Sequence, residues 1–185
     1  MKHPIAKIIT EQGTITLELY PEHAPNAVSG FLWAIEKGVF RGRTIKRIVP
    51  GFVLQPSYDL TQEPEFDMMI EGEFEANGFH NPIEFKRGIV AMAGDGQKES
   101  HGCEFFITLA DDVASRLQGR FTAFGKVIDG YDELERLEAV ETFDVNIGVE
   151  GVVVKEPVTP EIIKDITVDT FGEVYPEPVV LRWGE

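Results

Sequence analysis

Hydrophobic and polar positions alternate over much of the chain, which is the pattern of β-strands with one buried face. Near the N-terminus, Ile15, Leu17 and Leu19 alternate with polar residues after a turn at Glu11-Gln12-Gly13, and this predicts a β-hairpin over Ile5–Tyr20. Further β-type segments are separated by Gly, Pro and acidic connections; they lie at 44–49, 52–55, 88–93, 104–109, 121–127 and 161–171. The middle of the protein is therefore expected to be mostly strand.

Two segments have helical spacing instead. Between Pro25 and Gly38, four apolar residues fall at i, i+3, i+4 and i+7, namely Val28, Phe31, Leu32 and Ile35. A second, shorter helix is predicted near 131–139, with one apolar side formed by Tyr131, Leu134 and Leu137. Many short strands with only two helices favour a closed barrel or a sandwich, because these architectures hide the edges of antiparallel sheets.

Two parts of the chain do not fit this pattern. Residues 141–160 are expected to form an excursion between the second helix and the last strand. The tail from Gly172, with Pro176 and Pro178, is predicted to be extended, since proline limits strand pairing. The sequence leaves open whether the tail, with Trp183, covers part of the barrel or serves a partner.

Composition and charge narrow the class of protein. The chain has 185 residues, 43% of them hydrophobic, which is enough for one domain with a real core and no crosslinks. The 17 basic and 32 acidic residues give a net charge of −15. A surface this negative repels phosphate, so we expect neither nucleic acid nor a membrane as a partner.

The lone cysteine, Cys103, excludes an intrachain disulfide and gives no sign of an oxidising compartment. The N-terminal residues lack the continuous apolar run of a signal peptide, and the longest apolar runs are too short to span a bilayer. The sequence therefore predicts a cytoplasmic location.

The segments that are similar to cofactor-binding or metal-binding motifs do not have the residue spacing that those motifs require. The loop Gly94–Ser100 lacks both the Lys-Ser/Thr pair and the glycines of a nucleotide-binding loop. Asp144–Gly148 is similar to the start of a calcium loop, but its glycine is one position early and Lys155 replaces the closing glutamate. The four histidines are scattered. We expect no cofactor and no metal.

Two segments carry a family signal: Ile45–Gln55, which reads IKRIVPGFVLQ, and Gly88–Ala93, which leads after a loop into Glu104–Ile107. In their residues and in their order along the chain, these segments resemble the cyclophilin family of peptidyl-prolyl cis–trans isomerases. The resemblance continues through Leu117-Gln118-Gly119 and Phe124–Gly130 to about residue 171. As a whole, the sequence resembles bacterial members more than eukaryotic ones.

The resemblance implies a mainly β fold, a closed eight-stranded antiparallel barrel capped by two α-helices. It implies an isomerase domain over residues 1–171, with 172–185 as a C-terminal extension of the same domain. The expected substrates are proline-containing peptides and unfolded proteins, bound by a monomer without a cofactor.

The resemblance also assigns site residues. Arg47 corresponds to the catalytic arginine, and Gln55 to the residue that bonds the substrate carbonyl and helps to hold that arginine. Substrate-binding positions are implied at Phe52, Val53, Ala93, Gly94, Glu104, Phe106, Leu117 and Phe121. Because Phe105 and Phe106 are adjacent in a predicted strand, one should fill the barrel and the other line the groove; the resemblance assigns the groove to Phe106.

Several rim positions depart from the family pattern. Arg116 or a near neighbour stands where many members have tryptophan, Phe121 where many have histidine, and Glu104 where glutamine is common. These departures keep an alternative open, a non-catalytic proline-peptide binding module or chaperone with a cyclophilin fold.

Overall fold

A computed structural model describes residues 2–56 and 63–184. Its strands are β1 (Ile5–Thr10), β2 (Thr14–Leu19), β3 (Arg47–Val49), β4 (Val53–Gln55), β5 (Met68–Glu71), β6 (Ile89–Gly94), β7 (Glu99–Thr108), β8 (Ala123–Asp129), β9 (Thr142–Val145), β10 (Val154–Pro157), β11 (Ile163–Asp169) and β12 (Arg182–Trp183). The α-helices are α1 (Pro25–Glu36), α2 (Ala114–Leu117) and α3 (Tyr131–Glu138), and a 3-10 turn spans Glu75–Asn77.

The main sheet is antiparallel and follows the order β11-β1-β2-β8-β6-β7-β4-β3, which contains eight strands, while β5 pairs with both β7 and β12. The fold is therefore mainly β, with a curled sheet and few helices. In the described residues, the end strands β3 and β11 share no ladder, and a single bridge between Thr44 and Ile162 joins the segments beside them. A continuous, fully closed barrel stays a prediction.

Helix α1 packs against β7 and β11 and contributes a ring to the core. The ring of Phe31, from α1, lies with its centroid 5.1 Å from that of Phe105 and 5.3 Å from that of Phe124. Phe40 packs against Phe31 and Phe105 at 5.7 and 5.3 Å. All four rings are buried, and they belong to one cluster that takes residues from most strands. This aromatic cluster anchors α1 to the sheet.

The two predicted helices are confirmed to within about two residues at their ends, and the predicted hairpin is β1–β2. The short helix α2 was not predicted. β7 begins at Glu99, five residues before the predicted strand, because its first part pairs with β5. Among the described helices, none combines the length and the apolar character that crossing a membrane requires.

The tail is docked on the domain. Val179 exchanges two hydrogen bonds with Asn26: the Asn26 Nδ2 donates to the Val179 carbonyl at 2.9 Å, and the Val179 N–H donates to Oδ1 at 2.8 Å. β12 pairs with β5, and the ring of Trp183 lies 5.4 Å from that of Trp33. The sequence left open whether the tail covers part of the barrel or serves a partner. In the structure the tail covers part of the domain.

We expect Asn26→Ala to lower the free energy of unfolding by about 1–2 kcal/mol, because it removes both bonds to the tail. Urea unfolding would measure this loss, and hydrogen exchange at the Val179 amide should accelerate. Gln12→Ala is the control, since Gln12 is an exposed amide in the β1–β2 turn. Unchanged exchange at Val179 in the Asn26 variant would contradict the prediction.

Candidate active site

A pocket of about 440 Å³ lies on the sheet face opposite the main core. Strand alternation creates it, because Leu54 and Phe105 belong to the main core whereas their neighbours Val53 and Phe106 belong to a second cluster on the other face. Nine of the ten site residues that the sequence predicted line this pocket: Arg47, Phe52, Val53, Gln55, Ala93, Gly94, Phe106, Leu117 and Phe121. The tenth, Glu104, lies in an adjoining pocket.

The β3–β4 hairpin places the two polar residues of the site side by side. Arg47 and Gln55 are direct partners in its ladder, so both side chains project to the same face. The Arg47 Nη1 donates to the Gln55 Oε1 at 3.0 Å. The turn between the strands depends on Gly51, whose φ of +73° would strain any other residue. The eight-residue spacing of the pair is therefore a consequence of the hairpin.

Aromatic rings form the apolar walls. Phe106 is 4% exposed; its ring stacks against Phe85 with centroids 6.4 Å apart and meets Phe121 edge-on at 5.8 Å. On the rim, the Arg116 guanidinium lies 3.7 Å from the centroid of the Phe52 ring, a cation–π contact. These contacts orient Phe106 and Phe52 at the pocket.

A segment that the sequence did not connect to the site completes the pocket. Residues 141–160, predicted as an excursion, form the β9–β10 hairpin, and five residues of it line the pocket: Ile147, Val149, Gly151, Val152 and Val154. The backbone carbonyl of Val153 accepts a hydrogen bond from the Arg47 Nε at 2.8 Å. The signal in the sequence was the run of β-branched apolar residues, which an exposed turn does not require.

The adjoining pocket has a volume of about 410 Å³ and shares Gln55, Ala93 and Gly94 with the first. Glu104 is 5% exposed; it lines this second pocket and is not among the residues that line the first. The two pockets adjoin at Gln55 of β4 and at Ala93 and Gly94, the last residues of β6, and together they form one groove.

His101, in the second pocket, is held as a neutral imidazole. Its Nδ1 accepts the backbone N–H groups of Cys103 and Glu104 at 3.0 and 2.9 Å, so the proton sits on Nε2, 3.3 Å from the Asp67 carboxylate. Burial lowers the pKa of His101 to about 4, although Asp67 opposes the shift.

Wild-type protein is expected to lose stability between pH 6.5 and 4, since the unfolded histidine binds a proton there and the folded one does not. Between pH 7 and 5 its unfolding free energy should fall by about 2 kcal/mol more than that of His101→Gln. Denaturant unfolding at the two pH values measures the difference. His80→Gln is the matched control because His80 is 83% exposed. Parallel losses in wild type and His101→Gln would refute the expectation.

The lone cysteine, Cys103, belongs to the main core and lines neither pocket. Burial raises the pKa of the Cys103 thiol to about 12, so it is neutral at physiological pH. Among residues 2–56 and 63–184, no three His, Cys, Asp or Glu side chains come together as a metal site. The pocket that contains Arg47 offers the guanidinium groups of Arg47 and Arg116, the carboxamide of Gln55, the carboxylate of Asp95 and apolar walls.

The comparison with protein families assigns the chain to a family. Residues 5–168 match the family model described as cyclophilin type peptidyl-prolyl cis-trans isomerase/CLD. The chain belongs to the cyclophilin family.

Similar proteins agree with this assignment. The cyclophilin is 34% identical over 147 residues to the peptidyl-prolyl cis-trans isomerase of Helicobacter pylori, covering 78% of this chain and 85% of that one. It is 37% identical over 135 residues to the peptidyl-prolyl cis-trans isomerase CYP57 of Arabidopsis thaliana, covering 72% of this chain. This chain spans only 26% of the length of the Arabidopsis protein.

Among solved structures, the cyclophilin type peptidyl-prolyl cis-trans isomerase of Cryptosporidium parvum superposes with a TM-score of 0.72 at 26% identity. The match covers 92% of this cyclophilin and 99% of that chain. A second structure of the same protein, determined in the presence of the dipeptide Ala-Pro, has a TM-score of 0.71. The fold of this cyclophilin is therefore that of the family.

Proposed function

We propose that this cyclophilin catalyses cis–trans isomerisation of X-Pro peptide bonds and so assists protein folding. One observation carries the proposal: the Arg47 guanidinium is fixed by Gln55 and by the Val153 carbonyl at the wall of an apolar pocket that Phe52 and Phe106 help to form. Family membership supports the same activity. The Ala-Pro dipeptide used with the Cryptosporidium parvum relative fits a pocket for proline.

The chemistry requires electrostatic stabilisation of a twisted bond. Rotation about a peptide bond has a barrier of about 18–20 kcal/mol because the C–N bond has double-bond character. In the twisted transition state the prolyl nitrogen loses conjugation and becomes a better hydrogen-bond acceptor. A guanidinium aimed at that nitrogen stabilises the transition state more than either planar isomer. Arg47 takes this role.

The other residues hold the substrate. The walls of Phe52, Phe106 and Leu117 grip the proline ring, while Val53 and Phe121 complete the apolar surface. Gln55 bonds a substrate carbonyl and keeps Arg47 oriented. The backbone around Ala93 and Gly94 pairs with the peptide, and Glu104 contacts the substrate where the groove continues into the second pocket. No covalent bond to the substrate is made or broken, so the step itself requires no nucleophile or cofactor.

The alternative is a binding module that holds proline peptides without accelerating rotation. The observation in its favour is the rim: the Arg116 guanidinium packs on Phe52, and Phe121 packs on Phe106, at positions where many family members have tryptophan and histidine. Arg47 and Gln55 keep the geometry that catalysis needs, so the enzyme is the better interpretation.

Exchange spectroscopy on a short X-Pro peptide tests the proposal. Wild-type protein at catalytic concentration should accelerate cis–trans exchange, and the acceleration should increase linearly with protein concentration. If the peptide resonances shift on binding while the exchange rate stays at its uncatalysed value, the enzyme proposal fails and the binding module replaces it.

We further propose the biological setting that the sequence indicated. The domain acts as a monomer in the cytoplasm, without nucleic acid or membrane partners, on flexible or unfolded segments that contain proline. The residues support this through the acidic surface, at net charge −15, and through the single buried cysteine. Residues 1–171 form the isomerase domain and 172–185 its C-terminal extension.

A further inference from the structure

The β9–β10 hairpin presents apolar side chains at its tip, although the tip is open to solvent. Ile147 is 39% exposed, Val149 is 55% exposed and Val152 is 40% exposed, and all three line the pocket that contains Arg47. Single exposed apolar residues are ordinary on a protein surface, but several that converge on one cavity indicate a binding surface. Glu150 is the only charged residue between Asn146 and Val153.

The hairpin is held over the pocket by defined contacts. Four residue pairs join β9 to β10, from Val145 with Val154 to Thr142 with Pro157. Lys46, next to β3, forms an ion pair of 3.5 Å with Glu156 of β10. The Val153 carbonyl, at the tip side of β10, accepts the Arg47 Nε. The tip is therefore fixed with respect to the residue that we assign to catalysis.

The chemistry of the tip determines what it can bind. Valine and isoleucine have restricted χ1 rotamers, so they lose little conformational entropy when another side chain packs on them. A wall of three such residues offers dispersion contacts and releases water, whereas it gives no side-chain hydrogen bond to a polar partner. Its natural ligand is an aliphatic or aromatic side chain.

We propose that Ile147, Val149 and Val152 form a subsite that binds an apolar side chain on a residue flanking the substrate proline. The proposal rests on the proposed function, because it assigns to that site a substrate preference. The proline ring occupies the pocket between Phe52 and Phe106, and the neighbouring residue extends under the hairpin tip. Because the same hairpin holds Arg47, occupation of the subsite and orientation of the catalytic group are linked.

Isosteric substitution tests the subsite. Val149→Thr and Val152→Thr keep the size and branching of the side chain but replace one γ-methyl group with a hydroxyl, so the effect is one of polarity. Two peptide series should be used, with Leu or Ser placed directly before proline in one and directly after it in the other. We expect wild type to favour Leu over Ser by about three- to tenfold in kcat/KM in one series, and each variant to reduce that ratio to within about twofold.

Val158→Thr is the matched control. Val158 follows β10 and is 51% exposed, but it does not line the pocket, so this variant should keep the wild-type Leu/Ser ratio. Equal treatment of Leu and Ser by wild type in both series would overturn the subsite. So would a preference that survives in both Val149→Thr and Val152→Thr.

A shortened hairpin gives a second measurement. Val145 and Val154 pair directly, so replacing residues 146–153 by Asn-Gly should close the strands with a tight two-residue turn. This variant removes all three side chains and the Val153 carbonyl; we expect it to lose the Leu preference and also to lower kcat for the Ser peptide. An unchanged Leu/Ser ratio in a folded shortened variant would contradict the proposal.

Peptide affinity, measured by chemical-shift titration, separates failure of this inference from failure of the proposed function. A Leu preference in affinity that the threonine variants lose would support the subsite even if wild type did not accelerate exchange; the isomerase proposal alone would then fail. If wild type accelerates exchange but shows no preference between Leu and Ser, the subsite proposal fails and the isomerase proposal stands.

Discussion

Arg47→Ala should abolish most of the catalytic acceleration while peptide affinity changes little. A preorganised donor aimed at charge that develops in the transition state is typically worth about 10²–10³ in kcat. The apolar walls that grip the proline ring do not include the guanidinium, so the ground-state complex should persist. Exchange spectroscopy gives the rate and a chemical-shift titration gives the affinity of the same peptide.

Two further arginine variants separate the effect of the positive charge from the effect of the guanidinium geometry. Arg41→Ala is the control for loss of charge, because Arg41 is 66% exposed and its ion pair with Asp165 lies outside the pocket. Arg47→Lys keeps the charge but lacks the planar fork that contacts Gln55 and Val153 together, so it should recover only part of the rate. If affinity and rate fall by the same factor in Arg47→Ala, the guanidinium acts in binding and the assigned role is wrong.

The elements that position Arg47 could be predicted because their causes are local. β-type composition predicted the two strands, and the Pro50-Gly51 turn between Arg47 and Gln55 favours a hairpin whose ladder places both on one face. The resemblance then supplied their roles. The separation of Phe105 from Phe106 also followed from alternation, since adjacent strand residues point to opposite faces.

The hairpin over the pocket could not be predicted from the same signals. Its paired strands have only four residues each, and the alternation of apolar and polar residues over 145–150 lies mostly in the connection between them, so it does not locate either strand. What fixes the hairpin is tertiary: the contact of β10 with β3 and the bond from Arg47 to the Val153 carbonyl. Glu104 illustrates the same limit, because its position in the second pocket depends on how β6 and β7 pair around Gly94.

These results also explain how one sheet serves two purposes. Residues that face inward, such as Phe105 and Leu54, pack with α1 and stabilise the domain. The alternate residues, such as Phe106 and Val53, face a solvent-accessible pocket. Stability and substrate binding should therefore respond to different members of the same strand.

The pair Phe105 and Phe106 tests that separation directly. Phe105→Ala should lower the free energy of unfolding by about 3–5 kcal/mol, because it opens a cavity in the aromatic cluster with Phe31 and Phe40. Phe106→Ala should lower it by less than Phe105→Ala does, since the space it leaves opens into an existing pocket that water can enter, and should raise the KM for X-Pro peptides. Urea unfolding and steady-state kinetics measure the two effects.

Phe105→Leu and Phe106→Leu are the matched conservative variants, and each should show a smaller change of the same kind as its alanine variant. The order of the two stability losses is the decisive result. Because the residues are adjacent and chemically identical, differences in secondary-structure propensity cannot produce it. Equal losses of stability would contradict the proposal that Phe105 serves mainly stability and Phe106 mainly substrate binding. A raised KM in a folded Phe105→Leu protein, with no change in Phe106→Leu, would contradict it too.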